Sequence, residues 1–109
     1  MSELKIAKES LHRVDLITVS GRVNSESYTQ LATALNDARD SVALNLAGVS
    51  YMSSAGVRVL VAKLRDCRQS GGSLVLSQPS DKVTEVLELT GLTALFSTFD
   101  NDTAAVGSF

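Results

Sequence analysis

The sequence predicts an α/β domain with a largely parallel sheet, and three observations favour that fold class. Short apolar runs typical of strands alternate with longer segments whose apolar residues recur at helical spacing. Glycine or proline marks several boundaries between the two kinds of segment. The 109 residues are 44% hydrophobic and 20% charged, which suits one compact domain over 1–109. The order β-β-α-β-α-β-α-β-(α) implies helices on at least one face of the sheet.

The first part of the chain predicts two strands followed by a helix. The two strands are short apolar runs separated by the polar turn KESLHR. Apolar residues at helical spacing over 28–38 predict the helix. Asn24 and Ser25 are its expected caps, and Glu26 falls in the first turn, where the helix dipole favours an acid.

The alternation continues to the end of the chain. The remaining elements are expected in this order: a central strand in SVALNLAGV, a helix with an apolar face from Val57 to Cys67, a strand in SLVLS, a helix behind Pro79 and Ser80, a short strand over 96–99 and a partial helix in DTAAV. The second helix is expected to end at Gly71-Gly72, and the third at Gly91.

Composition and charge exclude several classes of function. The net charge of −2, the pI near 5.2 and the scattered basic residues argue against nucleic-acid binding. Cys67 is the only cysteine, so neither a disulfide framework nor a cysteine zinc site is expected. No apolar run approaches the ~20 residues of a membrane helix, and the N-terminus lacks an apolar core of signal-peptide length. We therefore expect a cytoplasmic protein without membrane insertion.

The segment SYMSSAGVR lies where the central strand meets the second helix. Functional residues of open α/β sheets collect at such junctions. One of the two serines suffices as a helix N-cap, which contributes roughly 1 kcal/mol. A cap does not explain Gly56, because a glycine inside a helix costs roughly 1 kcal/mol relative to alanine. Close approach of another backbone is the expected reason for that glycine.

No catalytic arrangement accompanies the serines. A nucleophile elbow needs glycine two residues before the serine, where Ser54 has Met52. The only histidine, His12, lies in the polar turn without an evident acidic partner. A phosphate-binding loop would need lysine after its last glycine, and no residues show metal-ligand spacing. We expect no enzymatic activity, no metal and no cofactor.

A hydroxyl at this junction can instead be the substrate of a kinase. Phosphorylation adds roughly −1.5 to −2 charge, which the positive end of a helix tolerates and a docked partner does not. Arg58 lies one helical turn beyond Ser54, where its guanidinium could pair with a phosphate or with an acidic group of a partner. An ordinary solvated arginine is the alternative interpretation.

Several motifs, taken together, resemble the STAS domain family, which includes bacterial anti-sigma factor antagonists. The family usually shows aspartate, serine or threonine, a small residue and glycine at the start of this helix, where this chain has Ser53-Ser54-Ala55-Gly56. SGRVNSES stands in place of the family's Gly-x-x-Asp element, and GGSLVLSQPSDKVTEVLELTGLTALF is typical of the antagonists. The chain departs from the family at Ser53 and Asn24, which replace two aspartates.

The resemblance implies a mixed or parallel sheet of four to five strands, with helices packed mainly on one face. It also implies partner switching. The unphosphorylated antagonist binds a serine kinase that is also an anti-sigma factor, phosphorylation releases it, and a PP2C-type phosphatase resets the pair. Ser54 is then the phosphoacceptor, with Ser53 as second choice, in a monomer or weak dimer. The expected partner-binding residues are Asn24, Ser25, Ser53, Ala55, Gly56, Val57 and Arg58.

A second function is compatible with the same resemblance. Some single STAS domains are structural subunits that dock, without phosphorylation, on the ATPase of a lipid-transporting ABC complex. Modification of Ser54 separates the two interpretations.

Overall fold

The structure is a computed structural model that describes residues 4–109. Residues 1–3, the start of the domain expected over 1–109, lie outside the described residues. The elements occur in the predicted order, which confirms the alternation. They are β1 (Lys5–Ser10), β2 (Asp15–Val23), α1 (Tyr28–Asn36), β3 (Ser41–Met52), α2 (Ser54–Gln69), β4 (Ser73–Ser77), α3 (Asp81–Leu89), a 3₁₀ turn (Thr93–Leu95), β5 (Thr98–Phe99) and α4 (Asp102–Gly107).

The described strands form one sheet of five in the order β1-β2-β3-β4-β5. β1 runs antiparallel to β2, and all other neighbours are parallel, so the sheet is mixed as predicted. The main core lies between one sheet face and helices α1, α2 and α3. α4 covers part of the opposite face over a small cluster of Val14, Ala43, Val75 and Ala105. Helices therefore lie mainly on one face, which also agrees with the prediction.

The strand β1 is longer than its apolar residues indicate. It continues through Lys8, Glu9 and Ser10, the first half of the stretch expected to be a turn. Among the described strands, β1 lies at the edge of the sheet and pairs only with β2. Charged side chains are compatible with such an edge, where they also discourage pairing with other chains.

The expected caps of α1 are wrong, because the helix begins at Tyr28 behind Ser27. Asn24 instead closes a turn before the helix: its Oδ1 accepts hydrogen bonds from the backbone N–H groups of Glu26 at 2.9 Å and Ser27 at 3.0 Å. Asparagine favours such turns because its side chain can replace a backbone acceptor. Glu26 therefore precedes the helix and does not lie in its first turn.

The starts of α2 and α3 agree with the predictions. Ser53 is the N-cap of α2, and Ser80 is the N-cap of α3, with Oγ accepting from the N–H of Val83 at 3.3 Å. α2 ends just before Gly71, whose φ of +85° suits glycine much better than residues with a Cβ. Among the helices of residues 4–109, none has both the length and the apolar character required to cross a bilayer.

Candidate functional site

The two strand-to-helix junctions singled out in the sequence are neighbours at the carboxyl edge of the sheet. β2 and β3 run parallel, and their last residues, Val23 and Met52, are paired in register. The backbone N–H of Ser53 donates to the carbonyl of Val23 at 2.8 Å, which joins the end of β2 to the start of α2. The Asn24 turn and the two serines therefore belong to one surface.

The two serines have different surroundings. The Oγ of Ser53 accepts a hydrogen bond from the N–H of Gly56 at 3.2 Å, so this hydroxyl caps α2. Ser54 is the first residue of α2 and is exposed. Within the described chain, no hydrogen bond involves the Ser54 hydroxyl. The structure thus assigns the capping role to Ser53 and leaves Ser54 accessible to another molecule.

Two expected partner contacts, Gly56 and Val57, require correction. Both are buried, and Val57 is only 2% exposed. A Cβ on Gly56 would lie 2.7 Å from Cγ1 of Val23 and would also meet the sulfur of Met52. The glycine allows α2 to pack on the ends of β2 and β3, so the close neighbours of Gly56 belong to its own chain and not to a partner. Ala55 is half-buried beside them.

The remaining predicted residues lie at the surface around Ser54. Arg58 is exposed one turn along α2, and Ser25 is exposed at the tip of the neighbouring turn. Asn24 is half-buried and its side-chain oxygen is occupied by the turn. A neutral amide thus supplies the hydrogen-bond acceptor that an aspartate would supply at this position, without the negative charge.

A groove of about 290 Å³, which the sequence does not predict, lies between the start of α2, the end of β3 and the side of α3. Tyr51 is 41% exposed and Leu89 is 80% exposed, an unusual degree for a leucine in a helix. Lys82 and Glu85 place opposite charges on the same groove. The groove is lined by Tyr51, Met52, Ser53, Ser54, Lys82, Glu85, Val86 and Leu89.

One signal in the sequence points to part of this groove. Leu89 lies off the apolar face formed by Val83, Val86 and Leu87, so the helical pattern leaves it without a place in the core. Tyr51 has no such signal in the sequence, and in the structure it is paired in register with Arg22 of the neighbouring strand. The guanidinium carbon of Arg22 lies 4.9 Å from the centre of the Tyr51 ring, a cation–π arrangement that holds the aromatic ring at the surface.

The two groups with displaced pKa values belong to other parts of the fold. Burial raises the pKa of the Cys67 thiol, which lies in the main core. Asp15 lies at the amino end of β2, far from the carboxyl edge that carries Ser54. Residues 4–109 contain no group of three or more His, Cys, Asp or Glu side chains that could hold a metal ion.

The sequence matches a known family along nearly all of its length. Residues 5–105 match the model described as the STAS domain, so the chain belongs to the STAS domain family. A protein of Bordetella bronchiseptica named "Putative anti-sigma factor antagonist BtrV" is 30% identical over 110 residues, which cover 97% of this chain and 95% of that protein. The anti-sigma-B factor antagonist of Listeria monocytogenes is 29% identical over 93 residues, covering 82% of this chain and 81% of the relative.

Solved structures show the same fold at lower sequence identity. An anti-sigma factor antagonist from Mycobacterium paratuberculosis superposes with a TM-score of 0.85 at 19% identity, covering 97% of this chain and 93% of that structure. The antagonist SpoIIAA in its unphosphorylated form gives 0.74 at 23% identity, covering 92% of each chain. SpoIIAA has also been solved phosphorylated, with a TM-score of 0.73 at 19% identity and coverage of 96% and 100%.

Proposed function

We propose that this chain is an anti-sigma factor antagonist that acts by partner switching, with Ser54 as the phosphoacceptor. The unphosphorylated form binds a serine kinase that is also an anti-sigma factor. Phosphorylation of Ser54 releases that kinase, and a PP2C-type phosphatase restores the binding form. The chain acts by binding rather than by catalysis, in the cytoplasm, as a monomer or weak dimer. Its relatives carry the name of anti-sigma factor antagonists.

The main support for the proposal is that the hydroxyls of Ser53 and Ser54 have different environments. Ser53 already accepts a hydrogen bond within the helix start, whereas the exposed Ser54 has an unpartnered hydroxyl within the described chain. A kinase needs an accessible hydroxyl on a segment that it can surround, which favours Ser54. Ser53 remains the second choice, because modification there would remove the cap.

Phosphorylation at Ser54 would leave the fold intact. The first N–H groups of a helix lack partners inside the helix, and the helix dipole places positive potential at that end. A phosphate on the first residue of α2 therefore enters a favourable field. Arg58, exposed one turn further on, adds a positive charge on the same side of the helix.

The docked partner would experience the same phosphate as a repulsive charge. We propose that the kinase covers the surface around Ser54 formed by Ser25, Arg58 and the groove beside Tyr51 and Leu89. The exposed aromatic and leucine side chains provide apolar area of the kind that anchors an interface. A dianion that these apolar contacts remove from water destabilises the complex, and each 1.4 kcal/mol lost lowers affinity tenfold.

The test is phosphorylation by the cognate kinase with ATP, followed by the mass of the intact protein. We expect one phosphate on the wild type and on Ser53→Ala, and none on Ser54→Ala. A phosphate on Ser54→Ala would refute the acceptor assignment. Stable co-purification with an ABC-transporter ATPase, with Ser54 unmodified, would favour the structural-subunit function instead.

A further inference from the structure

The helix α2 is basic in an acidic chain. It carries four basic residues and one acidic residue, whereas the chain has a formal net charge of −2. Lys63 is buried and donates to the carbonyl of Ala38 at 3.1 Å, so it serves the fold. Arg58, Arg65 and Arg68 are exposed. In the described part of the chain, none of these three arginines forms an ion pair with a carboxylate.

Two of these arginines border a second groove, on the side of α2 that faces the 3₁₀ turn. The groove has a volume of about 310 Å³ and is lined by Val61, Leu64, Arg65, Arg68, Gln69 and Leu95. Leu95 is 36% exposed. The Nη2 of Arg68 donates to the carbonyl of Leu95 at 3.3 Å, which holds that guanidinium at the rim. The result is an apolar floor with a positively charged rim.

We propose that this basic groove, defined by the six residues above, docks an acidic segment with apolar side chains that belongs to the phosphatase. The charge of the rim selects an acidic partner, and the exposed leucine floor selects one that also carries apolar side chains. The proposal rests on the proposed function, because it assigns a second contact to the protein that removes the phosphate from Ser54.

The distance between Ser54 and the basic groove favours the phosphatase over the kinase as the protein that docks there. Arg65 lies eleven residues beyond Ser54 along α2, which is about 16 Å at the helical rise of ~1.5 Å per residue. Physiological salt screens exposed charges over about 8 Å. Affinity at the basic groove is therefore nearly independent of phosphorylation. Such a contact would hinder release of the kinase, whereas the phosphatase must bind the phosphorylated protein.

The experiment measures dephosphorylation of the Ser54-phosphorylated protein by the purified cognate phosphatase. The double variant Arg65→Glu/Arg68→Glu is expected to raise KM about tenfold with kcat unchanged, because docking remote from the reacting atoms contributes uniform binding. Leu95→Ala is expected to raise KM about threefold. Phosphorylation by the kinase is expected to change less than twofold in both variants.

The matched control is Lys5→Glu/Lys8→Glu, which changes the net charge equally on the exposed strand β1. It is expected to leave both reactions within twofold of the wild type. An equal rise in KM for this control would overturn the proposal, since the effect would then be one of overall charge. If circular dichroism shows that the charge-reversal variant is unfolded, Arg65→Gln/Arg68→Gln replaces it. A smaller rise in KM is expected for that variant.

Three further outcomes are decisive. An unchanged KM with the groove variants, or an equal loss of kinase activity, would overturn the proposal. A wild-type dimer in sedimentation that the charge reversal dissociates would assign the groove to a second copy and would also overturn it. Titration of the phosphatase against the unphosphorylated wild type and variants compares their affinities without any phosphate on Ser54. The docking proposal is therefore tested even if Ser54 is not phosphorylated, an outcome that refutes the proposed function alone.

Discussion

Two ends of the same sheet differ in how completely their polar side chains are hydrogen-bonded. At the amino end of β2, Asp15 accepts from the backbone N–H of Arg39 at 2.9 Å and from its Nε at 3.0 Å. At the carboxyl edge, Ser54 is exposed and its hydroxyl has no partner among residues 4–109. A polar group that is bonded inside the fold stabilises it, whereas one that is left open can interact with another molecule.

On the sheet face covered by α4, polar side chains are also hydrogen-bonded within the fold. The Oδ1 of Asp102 accepts from Nδ2 of Asn45 at 2.8 Å and from Oγ of Ser77 at 2.6 Å. Throughout residues 4–109, no buried side-chain nitrogen or oxygen lacks a hydrogen-bond partner. Among these residues the burial of polar side chains is thus compensated, which makes the unpartnered Ser54 hydroxyl at the carboxyl edge a feature of the surface and not a defect of packing.

The largest expected effect concerns Ser54 at the carboxyl edge of the sheet. Ser54→Asp places a permanent negative charge where the proposed phosphate would lie, so the affinity for the kinase is expected to fall about 100-fold by isothermal titration. Ser54→Ala removes only a hydroxyl and is expected to change the affinity less than threefold. Ser97→Asp, an exposed serine elsewhere, is the matched control. Equal affinities for Ser54→Asp and Ser54→Ala would remove the electrostatic basis of switching.

The second-largest expected effect concerns Asp15 at the amino end of β2. Asp15→Ala leaves the backbone N–H of Arg39 without its acceptor, so we expect a loss of about 2 kcal/mol in the free energy of unfolding by urea denaturation. The ion pair itself adds little, because the Arg39 side chain is 47% exposed. Asp100→Ala, an exposed aspartate, is expected to change stability by less than about 0.5 kcal/mol. Similar losses for both variants would contradict this account.

The same pair predicts a pH dependence. Burial alone would raise the pKa of Asp15, but hydrogen bonds from Arg39 and Ser10 and the guanidinium charge hold it below the ordinary value of 3.8. The carboxylate therefore contributes stability that is complete above that value and is lost as the pH falls through the lowered folded-state pKa. The stability difference between wild type and Asp15→Ala should narrow below about pH 4. A difference that widens with acid would show the opposite sign.

A smaller effect tests whether Gly56 serves the fold or a partner. In Gly56→Ala the new Cβ would lie within 2.7 Å of Cγ1 of Val23, so strand and helix must separate slightly. We expect a loss of about 1.5 kcal/mol, the cost of overpacking reduced by the better helix propensity of alanine. Gly107→Ala, where an added Cβ would meet no atom from another part of the described chain within 4 Å, is the control and is expected to be neutral. A Gly56→Ala variant of normal stability that fails to bind the kinase would restore the partner role.

The order of elements and the start of α2 could be predicted because they depend on local signals. The apolar run that ends at Met52, the capping serine and the helical repeat after it all lie within one stretch of chain. The start of α1 was mispredicted because Asn24 and Ser27 are both residues that favour caps and turns. Only the three-dimensional turn shows which of them precedes the first helical residue.

The groove beside Ser54 could not be predicted, because it joins segments that are distant in sequence. Tyr51 and Leu89 are 38 residues apart. The position of Leu89 off the apolar face of its helix marks that residue alone and does not show that it lies beside Tyr51. The buried position of Gly56 likewise depends on the neighbouring strand that ends at Val23. Sequence patterns identify which residues need a special environment, whereas the tertiary structure decides whether a partner or the chain itself provides it.

The smallest expected effect is a difference in stability between the alanine variants of Ser53 and Ser54. Ser53→Ala removes the acceptor of the Gly56 N–H and is expected to lower the free energy of unfolding by about 1 kcal/mol. Ser54→Ala loses no hydrogen bond within the described chain, and alanine favours a helix, so its stability should equal or slightly exceed that of the wild type. Denaturant titration of both variants measures the difference. If Ser54→Ala were the less stable of the two, its hydroxyl would be the structural one, and Ser53 would become the better candidate for phosphorylation.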